Sequence, residues 1–307
     1  MKLRSKITIP QLLGDYNNGN YNVKIFSDGT KIRHTEDDEF IADFPESMDL
    51  KISNQCNILC KFCHENSTVD GKHADLLSPK FFDTLRPWTE IAIGGGNPLA
   101  HPDLQPFLVK MKERNIIPNI TVHQRHFQQN LDLIKMLSDK KLIYGLGISL
   151  DYSQPCSDIF IMEVQKYSNA VIHVINGICT KQMYEGLANN DLKILILGYK
   201  NLRRGVDYYS PKVREIMDWT SNAIIEMLKN NWFKVLSFDN LAITQLDLKN
   251  KLEPEVWDKF YMGDDGNHTM YIDLVNREFS KSSTTAERFE LMDNIDDMFK
   301  IVKSLNS

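Results

Sequence analysis

Cys56-Asn57-Ile58-Leu59-Cys60-Lys61-Phe62-Cys63 is the stretch on which the reading of this chain turns. It follows directly on Met48 to Ser53, a run with the alternation of a β-strand. A strand that feeds three closely spaced cysteines sets three thiols on one loop at its C-terminal end. Thiolates are soft ligands suited to iron–sulfur clusters or to zinc. On a cube of four irons, three protein ligands leave one iron open to bind a substrate. The alternative is a zinc site with His64 or His73 as fourth ligand.

One strand later the chain reads Ile91-Ala92-Ile93-Gly94-Gly95-Gly96-Asn97-Pro98-Leu99. Glycines at a strand end let the backbone approach a ligand closely. The cysteine loop and this turn together resemble the two leading signatures of the radical S-adenosylmethionine (radical SAM) superfamily, including the aromatic Phe62 before the third cysteine. The resemblance spans about residues 48 to 200. It implies an α/β fold, a partial (βα)6 TIM-like barrel, with a 4Fe–4S cluster on Cys56, Cys60 and Cys63. It also implies reductive cleavage of S-adenosylmethionine (SAM) to a 5′-deoxyadenosyl radical that abstracts hydrogen from a substrate. Such an enzyme is oxygen-sensitive, falls among oxidoreductases or transferases, and takes its electron from a donor such as a flavodoxin or ferredoxin.

The same resemblance nominates the cosubstrate contacts. Gly95, Gly96 and Asn97 stand where the family meets the methionine ammonium. Asn97 replaces the commoner Glu, and its amide oxygen can still accept a hydrogen bond. Ser149 and Asp151, at the end of the fourth strand, occupy the place of the ribose contacts, although Asp after a strand is also ordinary turn chemistry. His123, Leu197 and Tyr199 qualify by position, because parallel barrels carry their sites at the C-terminal strand ends.

Six strand candidates support such a fold: Met48 to Ser53, Glu90 to Gly94, Asn119 to His123, Tyr144 to Leu150, Ala170 to Ile175 and Lys193 to Leu197. Helical stretches separate them, one opened by Ser78-Pro79 and others at 104–114, 128–138, 158–167 and 181–187. An amphipathic helix over 211–230 follows, then an extra strand near Leu241 to Leu246. The segments 1–47, 48–247 and 248–307 are read as an N-terminal segment with a β-hairpin around Asp28-Gly29, the core barrel, and an α/β extension capping it. The extension holds a strand at 269–274 and a helix from about Ala286.

The bulk numbers agree with a globular chain of 307 residues, 42% hydrophobic and 25% charged. No apolar run suits a membrane span or a secretory h-region, so the expected location is the cytoplasm. A net charge of −5 disfavours nucleic acid as a partner. The one basic cluster, Lys200 to Arg204, has the look of a solvated loop. Five cysteines are too few and too clustered for a disulfide framework.

Cys156 and Cys179 each follow a predicted strand end. One reading makes them hydrogen donors to a substrate radical; the preferred one makes them buried small hydrophobes. His64 and Glu65 lead a polar segment placed to touch substrate, and Tyr271, Asp273 and Arg277 are candidates to close the barrel mouth. A peptide or protein substrate is preferred, with a small metabolite or nucleotide second. The competing class is a non-catalytic zinc or Fe–S module.

Overall fold

The computed structural model describes residues 10–306. Thirteen strands form among them: β1 Leu12–Asn18, β2 Tyr21–Phe26, β3 Lys31–His34, β4 Ser47–Ser53, β5 Glu90–Gly95, β6 Ile117–His123, β7 Gly145–Ser149, β8 Ala170–Ile175, β9 Lys193–Leu197, β10 Val235–Phe238, β11 Thr269–Asp273, β12 Glu278–Ser280 and β13 Phe289–Glu290. The first three make an antiparallel meander. The other ten make one sheet in the order β10-β9-β8-β7-β6-β5-β4-β11-β12-β13. From β10 through β11 all neighbours are parallel, and β12 and β13 are added antiparallel.

Strand alternation separates two chemistries. Ile91, Ile93, Ile120, Val122, Ile148, Ile172, Val174, Ile194 and Ile196 point to one face and are buried with helix residues such as Phe107, Met111, Phe127, Phe160 and Ile224. The positions between them, including Gly94, Asn119, Thr121, His123, Ser149 and His173, are only half-buried. A parallel sheet packed on both faces would be apolar on both. Here one face is polar and opens on a hollow.

The sheet curls around that hollow. Strands β4 and β9 are five places apart, which in a flat sheet means about 24 Å. Yet Lys200 Nζ, just past β9, lies 3.4 Å from His64 Nε2, on the loop that follows β4. Beyond β10, Asn240 donates to Asp265 Oδ1 at 2.7 Å, so side chains bridge the gap ahead of β11. A cavity of about 160 Å³ lies between these ends of the sheet, lined by Asp49, Lys200, Asp239, Asp265, Tyr271 and Ser283 among others.

The meander is fastened to the N-terminal ends of the strands by buried polar groups. Tyr21 Oη donates to Glu46 Oε1 at 2.6 Å and lies 3.1 Å from His268 Nδ1. Lys31 pairs with Glu46 and Glu90, and Arg33 Nε lies 2.8 Å from Glu46.

All six expected strands are present, within a residue or two, and several neighbouring elements differ. The segment Leu241 to Leu246 is helical (Asn240–Leu246), and the extra strand is β10. Asp239 decides this by capping the helix, with Oδ1 accepting from Ala242 N at 2.7 Å. Helix formation in the tail begins at Ile295, not Ala286, because Asn294 is the cap and Phe289 is drawn into β13 opposite Phe279. After Ser78-Pro79 only a single 3-10 turn forms, Lys80–Thr84, which buries Phe81 and Phe82. The stretch 128–138 is broken at Asn130 into two helices, Gln124–Gln129 and Leu131–Asp139. The first meander strand, β1, lacks the apolar alternation that marks the others.

Candidate active site

The cysteine loop leaves β4 at Ser53 and is held by backbone bonds as it turns. Cys56 N donates to Thr68 O at 2.8 Å, Asn54 N to Lys72 O at 2.8 Å, and Cys63 N to Cys60 O at 3.2 Å. All three thiols are half-buried. Burial, reinforced by Cys63 and Cys56 nearby, pushes the Cys60 thiol up to about 11, and burial also raises Cys56. Among the described residues no three His, Cys, Asp or Glu side chains are gathered closely enough to hold a metal ion, so loading requires the thiols to turn toward a common point. The donor set is chemically suited to a cluster, with three soft thiols on one tethered turn, each able to lose its proton to solvent and bind a metal as thiolate.

The glycine turn at the end of β5 packs directly on this loop. Gly96 N donates to Ser53 O at 2.7 Å and Asn97 N to Gln55 O at 2.6 Å. Gly95 has φ +112°, and a Cβ there would lie 2.4 Å from Ser53 O. A Cβ on Gly96 would lie 2.2 Å from Gln55 O, whereas one on Gly94 would meet nothing within 4 Å. Two of the three glycines thus serve the contact between the loops, and Gly94 is the one facing open space. Asn97 Oδ1 accepts from Leu99 N at 3.2 Å and caps the short turn Pro98–Ala100, leaving one lone pair of the amide oxygen.

The other nominated residues are engaged within the protein. His123 accepts from Arg125 N at 3.2 Å and caps the helix Gln124–Gln129; burial pulls its pKa down to about 4. Asp151 meets Arg125 Nε at 2.6 Å and accepts from Ser153 N at 2.9 Å, and these partners outweigh burial to hold its carboxyl below the usual range. Ser149, between His123 and His173 in register, faces the hollow. Leu197 O accepts from Asn176 N at 2.8 Å. The Tyr199 hydroxyl donates to Gly205 O at 2.6 Å. Phe62 packs edge-on between Tyr152 and Tyr208, with centroids 5.5 and 5.6 Å away.

His64 and Glu65 sit in a charged knot. Glu65, 9% exposed, is 2.7 Å from Lys51 Nζ, 3.2 Å from His64 Nε2 and 3.6 Å from Arg203 Nη1. Tyr271 Oη reaches it at 3.5 Å, and Asp273 is the second partner of Lys51 at 2.9 Å. Burial raises the Glu65 pKa, but His64 and Lys51 more than offset this and keep it well below the usual range. Cys179 is fully enclosed beside Tyr184, its thiol raised far above normal by burial, and Cys156 is half-buried against the same core. Neither thiol gathers with the three on the loop.

Lys51, Arg125, Lys200, Arg203 and Arg204 are the participants that sequence reasoning missed. The signal for Lys51 was weak: it falls on the polar positions of an alternating strand, Met48-Asp49-Leu50-Lys51-Ile52, and only the fold shows that it is buried and so needs a carboxylate partner. The basic run is no solvated loop. Arg203 Nη1 donates to His64 O at 2.8 Å, and Arg204 donates to Cys60 O at 3.1 Å, to Asn66 Oδ1 at 2.8 Å and to Ser67 O.

Fold and site together define a curled, largely parallel α/β sheet whose loops meet at the C-terminal strand ends. No protein-family model matches the chain, and no curated protein matches it. Among solved structures it shares its fold with Streptococcus suis SuiB. To SuiB bound to precursor peptide SuiA, the TM-score is 0.52 at 16% identity, covering 84% of this chain and 65% of that one. To SuiB bound to S-adenosylmethionine, the TM-score is 0.50 at 17% identity, covering 78% and 60%. The chain thus spans under two thirds of the length of either match. No helix among the described residues is long and apolar enough to cross a membrane.

Proposed function

We propose that this chain is a radical SAM enzyme that holds a 4Fe–4S cluster on Cys56, Cys60 and Cys63 and acts on a peptide. The observation that carries the proposal is the 2.6 Å bond from Asn97 N to Gln55 O. It fixes the glycine turn against the thiol loop, at the same end of two adjacent strands, so that a ligand of one abuts the other. The zinc alternative asks for His64 or His73. His64 Nε2 is turned to Glu65 and Lys200, and the His73 ring lies against His101.

When bound, the cluster supplies the electron that splits SAM into methionine and a 5′-deoxyadenosyl radical. The protein's own part is placement and shielding. Gly94 leaves room over the hollow, and the free lone pair of Asn97 Oδ1 and the Ser149 hydroxyl face the cosubstrate. The partial barrel is the curled sheet β4–β9 with β10 and β11 extending it, and 248–307 supplies Tyr271 and Asp273 to its mouth. Glu65 and His64 are tied into the charged knot and act on the loop, with substrate meeting the hollow beyond them. The peptide assignment is supported by the fold shared with a protein that binds a precursor peptide, which is an argument by analogy.

Anaerobic reconstitution with iron and sulfide, reduction with dithionite and assay for 5′-deoxyadenosine test the proposal. Colourless, zinc-loaded protein that leaves SAM intact defeats it.

A further inference from the structure

The run Lys200 to Arg204 lies five strands from the cysteine loop in sheet order, yet its side chains converge on residues 60–67. Arg204 spends its guanidinium on two main-chain carbonyls, of Cys60 and Ser67, and on the Asn66 amide oxygen. These acceptors are all neutral, and among the described residues no carboxylate pairs with Arg204. Arg203, by contrast, has Glu65 at 3.6 Å, while Lys200, with Ser283 Oγ at 2.7 Å, likewise pairs with no carboxylate among the described residues but donates to no carbonyl of the loop. The backbone presenting this contact is itself forced. Arg203 has φ 50° and ψ −122°, a conformation that residues with a side chain avoid unless their surroundings over-determine it. The turn is further pinned by the Tyr199 hydroxyl on Gly205 O, and a Cβ at Gly205 would lie 2.3 Å from Lys200 O.

A five-donor fork suits the bridging of several carbonyls at fixed angles. A positive charge left without an acidic partner beside three thiols suits a different role. A cluster held by thiolates is anionic, and its potential follows the charges and hydrogen bonds around it.

Building on the proposed function, we propose that Arg204 is a positioning residue for the thiolate loop and the charge partner of the cluster it would carry. It holds the backbone of Cys60 to Ser67 in place before metal arrives, and its uncompensated charge stabilises the reduced, more negative centre.

The test separates the two roles. In the metal-free full chain, chymotrypsin can cut after Leu59 and Phe62 only when the loop opens. Arg204→Gln should speed that cleavage about tenfold, the equivalent of losing one strong charged hydrogen bond. In the reconstituted protein it should shift the midpoint potential of the cluster to more negative values, while Arg204→Lys keeps the potential near that of the parent. Asn66→Ala deletes the Nε acceptor but retains the charge, so it should speed cleavage without moving the potential. Parent-like cleavage in both Arg204→Gln and Asn66→Ala overturns the positioning role, and an unmoved potential in Arg204→Gln overturns the charge role. Should the parent chain take up zinc and never an iron–sulfur cluster, the radical SAM proposal fails, while the cleavage arm still decides whether Arg204 clasps the loop.

Discussion

Replacing the three glycines of the β5 turn one at a time should produce three different proteins. A methyl on Gly96 would sit 2.2 Å from Gln55 O, 2.7 Å from Gln55 C and 3.0 Å from Asn54 C, all main-chain atoms. Reaching ordinary contact at 3.4 Å needs about 1.2 Å of retreat by the cysteine loop. The Asn97 N to Gln55 O bond, 2.6 Å in the folded protein, cannot survive that retreat. Overpacking costs about 1–3 kcal/mol and the lost buried bond about 1–3 more, so Gly96→Ala should lose roughly 2–6 kcal/mol. Gly95→Ala should be at least as costly, since φ +112° adds backbone strain to a 2.4 Å clash with Ser53 O. Gly94→Ala meets nothing and should stay within about 1 kcal/mol of the parent. Urea midpoints rank the stabilities, iron and sulfide content after reconstitution reports the loop, and calorimetry reports SAM binding. The expected pattern is low midpoint and poor iron loading for Gly95→Ala and Gly96→Ala. For Gly94→Ala it is normal loading with weaker SAM affinity. A Gly96→Ala protein with parent-like midpoint and full iron content would refute the packing argument.

Asp273→Asn leaves Lys51, whose side chain is 2% exposed, with Glu65 as its one carboxylate and should cost about 3 kcal/mol by urea unfolding; adding Lys51→Met should recover part of the loss, and an unchanged midpoint in the single variant contradicts the buried pair. Stability should also fall in acid. Burial holds the His268 pKa down near 4 in the folded chain, so the unfolded chain takes its proton first, near 6.5, and about 3 kcal/mol is lost as pH drops from 6.5 to 4. Glu46, raised by burial but lowered further by Lys31 and Arg33, adds a loss below pH 4.5; urea midpoints measured across this range should decline, His268→Gln should flatten the upper part, and a level profile in the parent counts against both assignments. Cys60→Ala should abolish iron uptake, whereas Cys179→Ala, made in an enclosed site, should keep full iron content and 5′-deoxyadenosine formation while losing about 1 kcal/mol of stability.

The core of this fold was legible because its signals are local. Apolar alternation marks β4 to β9 even where Gly145 and Gly147 interrupt it, and the cysteine and glycine loops announce themselves by spacing. The mistakes fall where one side chain overrides a pattern. Leu241 to Leu246 alternates well enough for a strand, but Asp239 caps a helix there and also accepts from Gly198 N at 2.8 Å, serving two elements at once. The apolar spacing from Phe289 to Leu305 satisfies a helical period, yet its first members are taken by the sheet, a long-range pairing that no window of sequence contains.

The site was half legible for the same reason. Spacing gathers candidate ligands within a loop but does not show the cations that reach it from elsewhere in the chain. Lys200, Arg203 and Arg204 converge on residues 60–67 only because the sheet curls, and curl is a property of the whole ladder of strands. That convergence also bears on how the chain divides its labour. The apolar face of the sheet is ordinary packing and would tolerate conservative exchange of one aliphatic for another. Near the thiol loop the acidic groups already have partners inside the protein: Asp151 has Arg125, and Glu65 has Lys51. The cavity between the ends of the sheet is different: Asp49, Asp239, Asp265 and Lys200 line it, and among the described residues none of the four makes a salt bridge.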